Sequence, residues 1–322
     1  MYFLAFASVG LLPLSARADI VMDLTYVGNP GNAPDYDHPL GPPYDPRYVG
    51  AVNYQYYIGT YEVTVAQYAE FLNAVAQSDP YGLYNGSMET DPMVGAIILR
   101  SGADGSYTYT AVSGKENQPV RWVSEYDAMR FSNWMANGQG TGDTETGSYD
   151  MSGGVYATRS TNATWVIPSE DEWYKAAYYS ASNLLYYNYP NGSDAVPQEP
   201  TDETTPREMN FGDVPFWQGS VCFTSTGQTT GASPYGTYDQ GGNAAEWTDT
   251  MDQPPYQHYR ITRGGDFQDQ EDELSSSIAV TYTPDTEGYI GLRLAYIIPE
   301  PSAFLLLFSG LPLLWCFWRR GL

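Results

Sequence analysis

The sequence predicts an α+β domain with little regular secondary structure and long connecting loops. Hydrophobic residues make up 42 % of the 322 residues, which is enough for a packed core and argues against a disordered chain. Tyrosine occurs 30 times beside 32 glycines and 23 prolines, a mixture that favours aromatic packing and frequent turns. Only three segments carry a clear helical signal, so most of the chain is expected to form short strands and loops.

The first predicted elements are a strand and the helix that follows it. Residues 26–57 are rich in Tyr, Gly and Pro and are expected to be an extended entry to the domain. Residues 56–63 read as a strand that ends where a helix starts. Thr64 is a good N-cap with Gln67 three positions later, the spacing of a capping box, and apolar residues follow at helical spacing.

Two further helix starts are predicted from the same N-capping pattern. Ser124 has Asp127 three positions later, and Gly138 is a suitable stop for this second helix. Ser169 and Glu172 form a capping box at the start of the third helix. The polar stretches around these helices are expected to be hairpins and surface loops: 100–118, 138–163 and 190–207.

The N-terminus carries an export signal. Residues 1–18 are almost all apolar and end in Ala16-Arg17-Ala18, a small-x-small pattern typical of a signal-peptide cleavage site. The sequence therefore predicts a signal peptide over residues 1–18 and a mature domain over residues 19–297.

A second short apolar segment lies in residues 298–322. A Pro-Glu-Pro motif at 299–301 precedes an apolar run of 16 residues, 303–318, and two arginines at 319–320. As a helix this run would reach about 24 Å, short of the ~30 Å hydrocarbon core, so it is a marginal anchor with its arginines on the cytoplasmic side.

This tripartite end resembles the PEP-CTERM sorting signal of Gram-negative bacteria. The resemblance implies an exosortase-type sorting partner and cleavage near the Pro-Glu-Pro motif. It also implies a protein at the bacterial outer surface or outside the cell, with a transient or retained C-terminal membrane anchor.

Charge and cysteine content exclude several classes of partner. The chain has 38 acidic against 14 basic residues, a net charge of −24, so it lacks the clustered Lys and Arg that nucleic acids and anionic membrane surfaces require. We therefore expect no nucleic-acid partner and membrane contact only through the C-terminal segment. The two cysteines, Cys222 and Cys316, cannot form a disulfide scaffold.

Several motifs follow one another in a fixed order from about residue 50 to 296. In chain order they are Tyr61-Glu62-Val63-Thr64, Pro119-Val120-Arg121-Trp122, Ile167-Pro168-Ser169-Glu170, Tyr235-Gly236-Thr237-Tyr238-Asp239, Gly242-Asn243, Glu246-Trp247-Thr248, Arg263-Gly264-Gly265 and Gly291-Leu292-Arg293-Leu294. This order of motifs resembles the formylglycine-generating enzyme, or sulfatase-modifying factor, family. The resemblance implies a single loop-rich α+β domain related to the C-type lectin fold.

The resemblance also shows where this chain departs from the enzymes. Their oxidase activity depends on two copper-binding cysteines shortly after the Arg-Gly-Gly motif, and here those positions align with Asp269 and Leu274. A carboxylate and an aliphatic side chain cannot replace the two thiolates that a soft Cu(I) centre requires. We therefore expect neither copper nor catalysis by this mechanism. Only His38 and His258 are available for iron, too few for a three-histidine centre, and both are expected to be loop residues.

Five carboxylates follow the Arg-Gly-Gly motif within eight residues. They suggest either a cation site or acid/base pair, or a solvated acidic loop, and the loop is the favoured interpretation. The five are Asp266, Asp269, Glu271, Asp272 and Glu273.

Calcium is the cofactor that the sequence supports best. Asp239 and Glu246 lie seven residues apart across a Gly-Gly bend, a loop that can surround a hard cation with oxygen atoms. The resemblance implies structural calcium here, bound by the Asp239 and Glu246 side chains and the Gly242 and Ala244 carbonyls. A second family site begins at an Asn-aromatic pair, matched here by Asn210.

Two functions remain open on the sequence. The first is a non-catalytic, calcium-stabilised module at the cell surface that binds a glycan or protein through tyrosine, tryptophan and acidic side chains. The alternative is a diverged oxidoreductase of the formylglycine-generating type that modifies a partner protein. The residue pair Asp269 and Leu274 favours the first.

Overall fold

The structure is a computed structural model that describes residues 19–40, 47–197, 207–212, 223–252 and 258–299. The predicted signal peptide, the C-terminal segment beyond residue 299 and both cysteines lie outside the described residues. Within those ranges, no helix combines the length and the apolar character that a membrane crossing requires.

The three predicted helix starts are confirmed. Thr64, Ser124 and Ser169 each accept a hydrogen bond from the backbone N–H three residues on, and the third-residue side chain bonds back to the cap in every case. A fourth, shorter helix has no side-chain cap and was not predicted. The helices are α1 (Val65–Val75), α2 (Ser87–Thr90), α3 (Glu125–Ala136) and α4 (Glu170–Tyr178), with a 3₁₀ helix at Met151–Tyr156.

The strands are short and form two four-stranded sheets and two hairpins. One sheet has the order β1-β2-β12-β5 and the other β10-β9-β8-β11, while β3 pairs with β4 and β6 with β7. The strands are β1 (Leu24–Val27), β2 (Tyr56–Gly59), β3 (Ile98–Ser101), β4 (Thr108–Ala111), β5 (Trp165–Val166), β6 (Tyr179–Ser180), β7 (Leu185–Tyr186), β8 (Ala245–Met251), β9 (Arg260–Arg263), β10 (Val280–Tyr282), β11 (Ile290–Gly291) and β12 (Ala295–Ile297).

One strand prediction needs correction. The strand expected over residues 56–63 ends at Gly59, because the chain leaves β12 there and Val63 N–H instead donates to the carbonyl of Leu292. At the start of the predicted extended entry, Tyr26 and Val27 belong to β1, which pairs antiparallel with β2. The hairpin expected within residues 100–118 is present as β3 and β4.

The core is aromatic, as the composition predicts. Phe71 of α1 packs on Phe131 and Trp134 of α3, with ring centroids 5.2 and 5.3 Å apart. Buried tyrosine hydroxyls donate hydrogen bonds to backbone carbonyls. Tyr56 donates to the carbonyl of Glu172 at 2.6 Å, and Tyr68 donates to the carbonyl of Leu83 at 2.8 Å. Aromatic rings therefore pack beside the buried Val, Ile and Leu side chains of the main core.

Candidate functional site

A cleft of about 200 Å³ opens at the end of β9, where the Arg-Gly-Gly motif lies. Gly264 and Gly265 both have positive φ, 96° and 68°, so the chain turns sharply out of the sheet here. Arg263 is buried and binds Glu170 at the start of α4 at 2.6 Å, as well as the carbonyls of Ser276 and Ile278. This arginine therefore fixes one wall of the cleft to the helix.

The two positions aligned with the family's cysteines lie close together but in different environments. An added Cβ on Gly265 would be 3.1 Å from Asp269 Oδ2 and 3.4 Å from Leu274 Cδ1. Asp269 lines the cleft and accepts a hydrogen bond from Asp266 N at 2.7 Å. Leu274 is fully buried in a cluster with Tyr189, Met209 and Phe211. Asp269 therefore lies on the wall of the cleft and Leu274 in the core.

The cleft holds carboxyl groups that titrate near neutrality. Burial raises the pKa of Asp266 to about 7, and the negative charge of Asp269 acts in the same direction. A hydrogen bond shared with Asp269 raises the pKa of Glu273 to about 7. The cleft therefore gains negative charge as the pH rises through about 7. Of the five clustered acids, Asp266 and Asp269 are half-buried and line it with Glu273, while Glu271 and Asp272 are exposed, as expected of a solvated loop.

A buried charge cluster lies behind this cleft, on β8 and the segments that meet it. Glu246 and Arg293 are both fully buried, with Arg293 Nη2 2.7 Å and Nε 3.0 Å from the two Glu246 oxygens. Glu62 joins them through Asn243 Nδ2 at 2.9 Å and Ala244 N at 3.1 Å. Burial raises the pKa of Glu62 well above its usual range, and the charges of Asp239 and Glu246 add to this.

The structure brings the two predicted calcium motifs side by side. Asn210 pairs with Gly242 as an isolated parallel bridge, and the Asn210 carbonyl accepts from Asn243 N at 2.7 Å. Asp239 is 3 % exposed and accepts from Gly227 N and Thr229 Oγ1, both at 2.6 Å. Ala244 is buried just before β8.

The fit of these residues to calcium is incomplete. Glu246 already accepts from Arg293 on both oxygens and from Trp173 Nε1 at 2.6 Å. Its acceptor positions are occupied by donors, one of them a cation, so in this conformation Glu246 has no room for a metal. The three buried carboxyl groups of this region, those of Glu62, Asp239 and Glu246, nevertheless outnumber the single positive charge of Arg293. This imbalance favours a further cation or protonation of a carboxyl group. The calcium site stays a prediction.

Residues outside the predicted site hold this region together. Glu62, Glu170 and Arg293 are members of the sequence motifs, but the sequence assigns none of them a contact. All three are buried and paired with partners 47 or more positions away. Of the three, only Glu170 lies at a helix start and binds an arginine of a strand, Arg263 of β9. The same arrangement joins Glu125 of α3 to Arg260 of β9 at 3.0 Å.

The two histidines do not belong to a metal-binding group in the described part of the chain. His38 Nδ1 bonds to Asp35 Oδ2 at 2.9 Å, and this hydrogen bond raises the pKa of His38. His258 is exposed. Over the described ranges, no group of three or more His, Cys, Asp or Glu side chains is arranged to hold a metal ion.

Fold and site together define a loop-rich α+β protein in which buried arginines bind glutamates around a small cleft. Residues 41–298 match the sulfatase-modifying factor enzyme 1-like domain, and the chain belongs to this family. The predicted fold class is thereby confirmed, and the relation to the C-type lectin fold agrees with it.

Solved structures support the same fold. The chain is similar to Treponema denticola variable protein 1, with 18 % identity and a TM-score of 0.54 over 85 % of this chain and 94 % of that one. It is also similar to CarF, with 19 % identity and a TM-score of 0.53 over 86 % of this chain and 99 % of that one. A comparison with curated proteins finds no match.

Proposed function

We propose that this protein is an exported, surface-sorted and non-catalytic binding module of the sulfatase-modifying factor family, which takes a glycan or a protein as its partner. The observation that carries the proposal is the place of the two residues that align with the family's cysteines: Asp269 lies on the cleft wall and Leu274 in the core. Among the described residues that line the cleft there is no cysteine and so no thiolate for Cu(I), while the cleft does offer a concave surface lined by tyrosines.

The cleft suits recognition better than oxidation. Tyr282 and Tyr289 line it together with Asp266, Asp269 and Glu273, so it offers aromatic faces beside hydrogen-bond acceptors. Such surfaces bind partners with little loss of side-chain entropy, because a tyrosine has few rotatable bonds.

The non-catalytic part is tested by assaying the full chain with copper, oxygen and a cysteine-bearing sulfatase peptide. We expect no peptide with the mass loss of formylglycine, because the thiolate pair that would bind copper beside the substrate is missing. A formylglycine-generating enzyme run in parallel confirms that the peptide and the conditions are competent. Aldehyde formed by the full chain would establish the alternative, a diverged oxidoreductase that modifies a partner protein.

The sorting part is tested by deleting residues 299–322. We expect the shortened protein in the medium and the full chain in the envelope fraction, because the deletion removes the short apolar run and its flanking arginines. Fractionation with antibodies against the domain measures both. Retention of the shortened protein in the envelope would contradict a sorting role for the tail.

The calcium site predicted from the sequence at Asp239 is tested by melting the protein in calcium and in EGTA. At a calcium concentration of about ten times Kd the stabilisation is about 1.4 kcal/mol, so we expect EGTA to lower Tm by about 3 to 5 °C. Asp239→Asn should abolish this difference, because it removes a charged ligand and keeps an acceptor for Gly227 and a partner for Thr229.

Asp104→Asn, which changes an exposed carboxylate, is the matched control and should keep the difference between the two melts. An equal Tm of the unmodified protein in calcium and in EGTA would contradict the predicted calcium site.

A further inference from the structure

We infer that a groove beside Tyr54, on the sheet that contains β12, is a binding site for an uncharged glycan. The inference rests on the proposed binding function and names the ligand class and the surface. The groove has a volume of about 590 Å³, within the range of ligand sites, and it is separate from the cleft after β9. Its lining residues are Pro30, Asn53, Tyr54, Gln55, Thr161, Asn162, Ala163, Ile297, Ile298 and Pro299.

Tyr54 is a rigid aromatic platform in this groove. Its side chain is 40 % exposed, yet its hydroxyl donates to Glu172 Oε1 at 2.6 Å. Glu172 is fully buried and held by two hydrogen bonds from Arg159, at 2.9 and 2.6 Å. The ring of Tyr56 meets Tyr54 edge-on at 6.2 Å. A ring whose polar end is tied to the interior leaves its apolar surface for a ligand and loses little entropy on binding.

Three exposed carboxamides line the groove together with this ring. Asn53, Gln55 and Asn162 each offer two N–H donors and a carbonyl acceptor, the combination that matches neighbouring hydroxyl groups of a sugar. Ile297 and Ile298 add apolar surface from β12 and the residue after it. Apolar contact with C–H groups and paired hydrogen bonds to hydroxyls are the two needs of a pyranose ring.

The absence of charge identifies the kind of glycan. The chain carries a net charge of −24, but none of the ten groove residues, all within the described ranges, is acidic or basic. An acidic polysaccharide would gain no ion pair here and would be repelled by the protein as a whole. A basic peptide would find its charge complement in the cleft at Asp266 and Asp269 rather than in this groove. A neutral polysaccharide needs no ion pair in the groove and is not repelled by the negative charge of the protein.

The test is affinity electrophoresis of the full chain in gels that contain dextran, laminarin, galactomannan or xyloglucan, with alginate as an anionic comparison. We expect retardation by at least one of the four neutral polymers and none by alginate. Tyr54→Ala should weaken the apparent affinity about tenfold or more, because it removes the aromatic platform. Tyr48→Ala, at a tyrosine of similar exposure (43 %) outside the groove, should leave it unchanged.

Tyr54→Phe tests whether misfolding explains a loss of affinity in Tyr54→Ala. It keeps the ring and removes only the hydroxyl bond to Glu172, so its affinity should fall less than that of Tyr54→Ala. No retardation in any neutral gel, or retardation that Tyr54→Ala leaves intact, would overturn the groove as the site. If Asp269→Asn abolished the retardation and Tyr54→Ala did not, the binding module would stand and the groove would be wrong. Aldehyde formation in the peptide assay would instead refute the non-catalytic proposal.

Discussion

Replacing Arg293 by glutamine should lower the free energy of unfolding by about 3 to 5 kcal/mol, the cost of leaving a buried charge without its partner. Arg293 is fully buried and binds Glu246 through two nitrogens. It also donates to the carbonyls of Gly59 at 2.8 Å and Tyr238 at 2.7 Å, so it joins the end of β2, the 238–243 turn and β8. Chemical denaturation with a fitted midpoint and slope measures the loss.

The loss should depend on the partner that Arg293 leaves behind, because Glu246 is then a buried charge without its counter-ion. The double variant Arg293→Gln with Glu246→Gln should recover part of the loss, since no charge is then left unpaired. Arg130→Gln is the control, because Arg130 and Glu145 form a partly exposed pair whose removal should cost less than about 1 kcal/mol. Equal losses for Arg293→Gln and Arg130→Gln would contradict the assigned role.

Gly242→Ala should destabilise the fold by about 3 to 5 kcal/mol, since it combines backbone strain with a direct clash. Gly242 has a φ of 77°, and an added Cβ would lie 2.1 Å from the carbonyl oxygen of Asn210. That oxygen is backbone and cannot rotate away, and it accepts the hydrogen bond from Asn243 N. The methyl group would therefore separate residues 207–212 from the turn before β8.

Gly236→Ala separates the two contributions. Gly236 has a φ of 92° but an added Cβ meets nothing within 4 Å, so its replacement tests the strain alone, about 1 to 2 kcal/mol. Denaturation midpoints of the two variants compare the costs. Failure of Gly242→Ala to accumulate in folded form while Gly236→Ala does so agrees with the prediction. Losses of the same size in both variants would show that the contact with Asn210 is unimportant.

Local features of the fold could be predicted from the sequence. The helix starts at Thr64, Ser124 and Ser169 depend on groups within three or four positions, so a short window contains all of their physics. The strand over residues 56–63 was predicted too long, because strand ends depend on a partner that sequence patterns do not show.

The charge pairs could not be predicted from the sequence. The spacing of Glu246 to Asp239 indicates a calcium ligand, but in the fold Glu246 lies against Arg293, 47 positions along the chain. Glu125 and Glu170 have the pattern of ordinary residues in a first helical turn, where the helix dipole favours acids, and they are ion-pair partners of β9 instead. Which opposite charges meet is set by long-range packing and not by spacing.

The amino-acid order alone determined the family and the positions of the three main helices, because each of these rests on nearby residues or on motifs read in order. Packing determined that Leu274 is part of the core, that Arg293 binds Glu246, and that Tyr54 and Ile297 line one groove. These features join segments that are far apart in the chain. Their energies come from burial and from desolvated charge, which arise only when the segments are brought together.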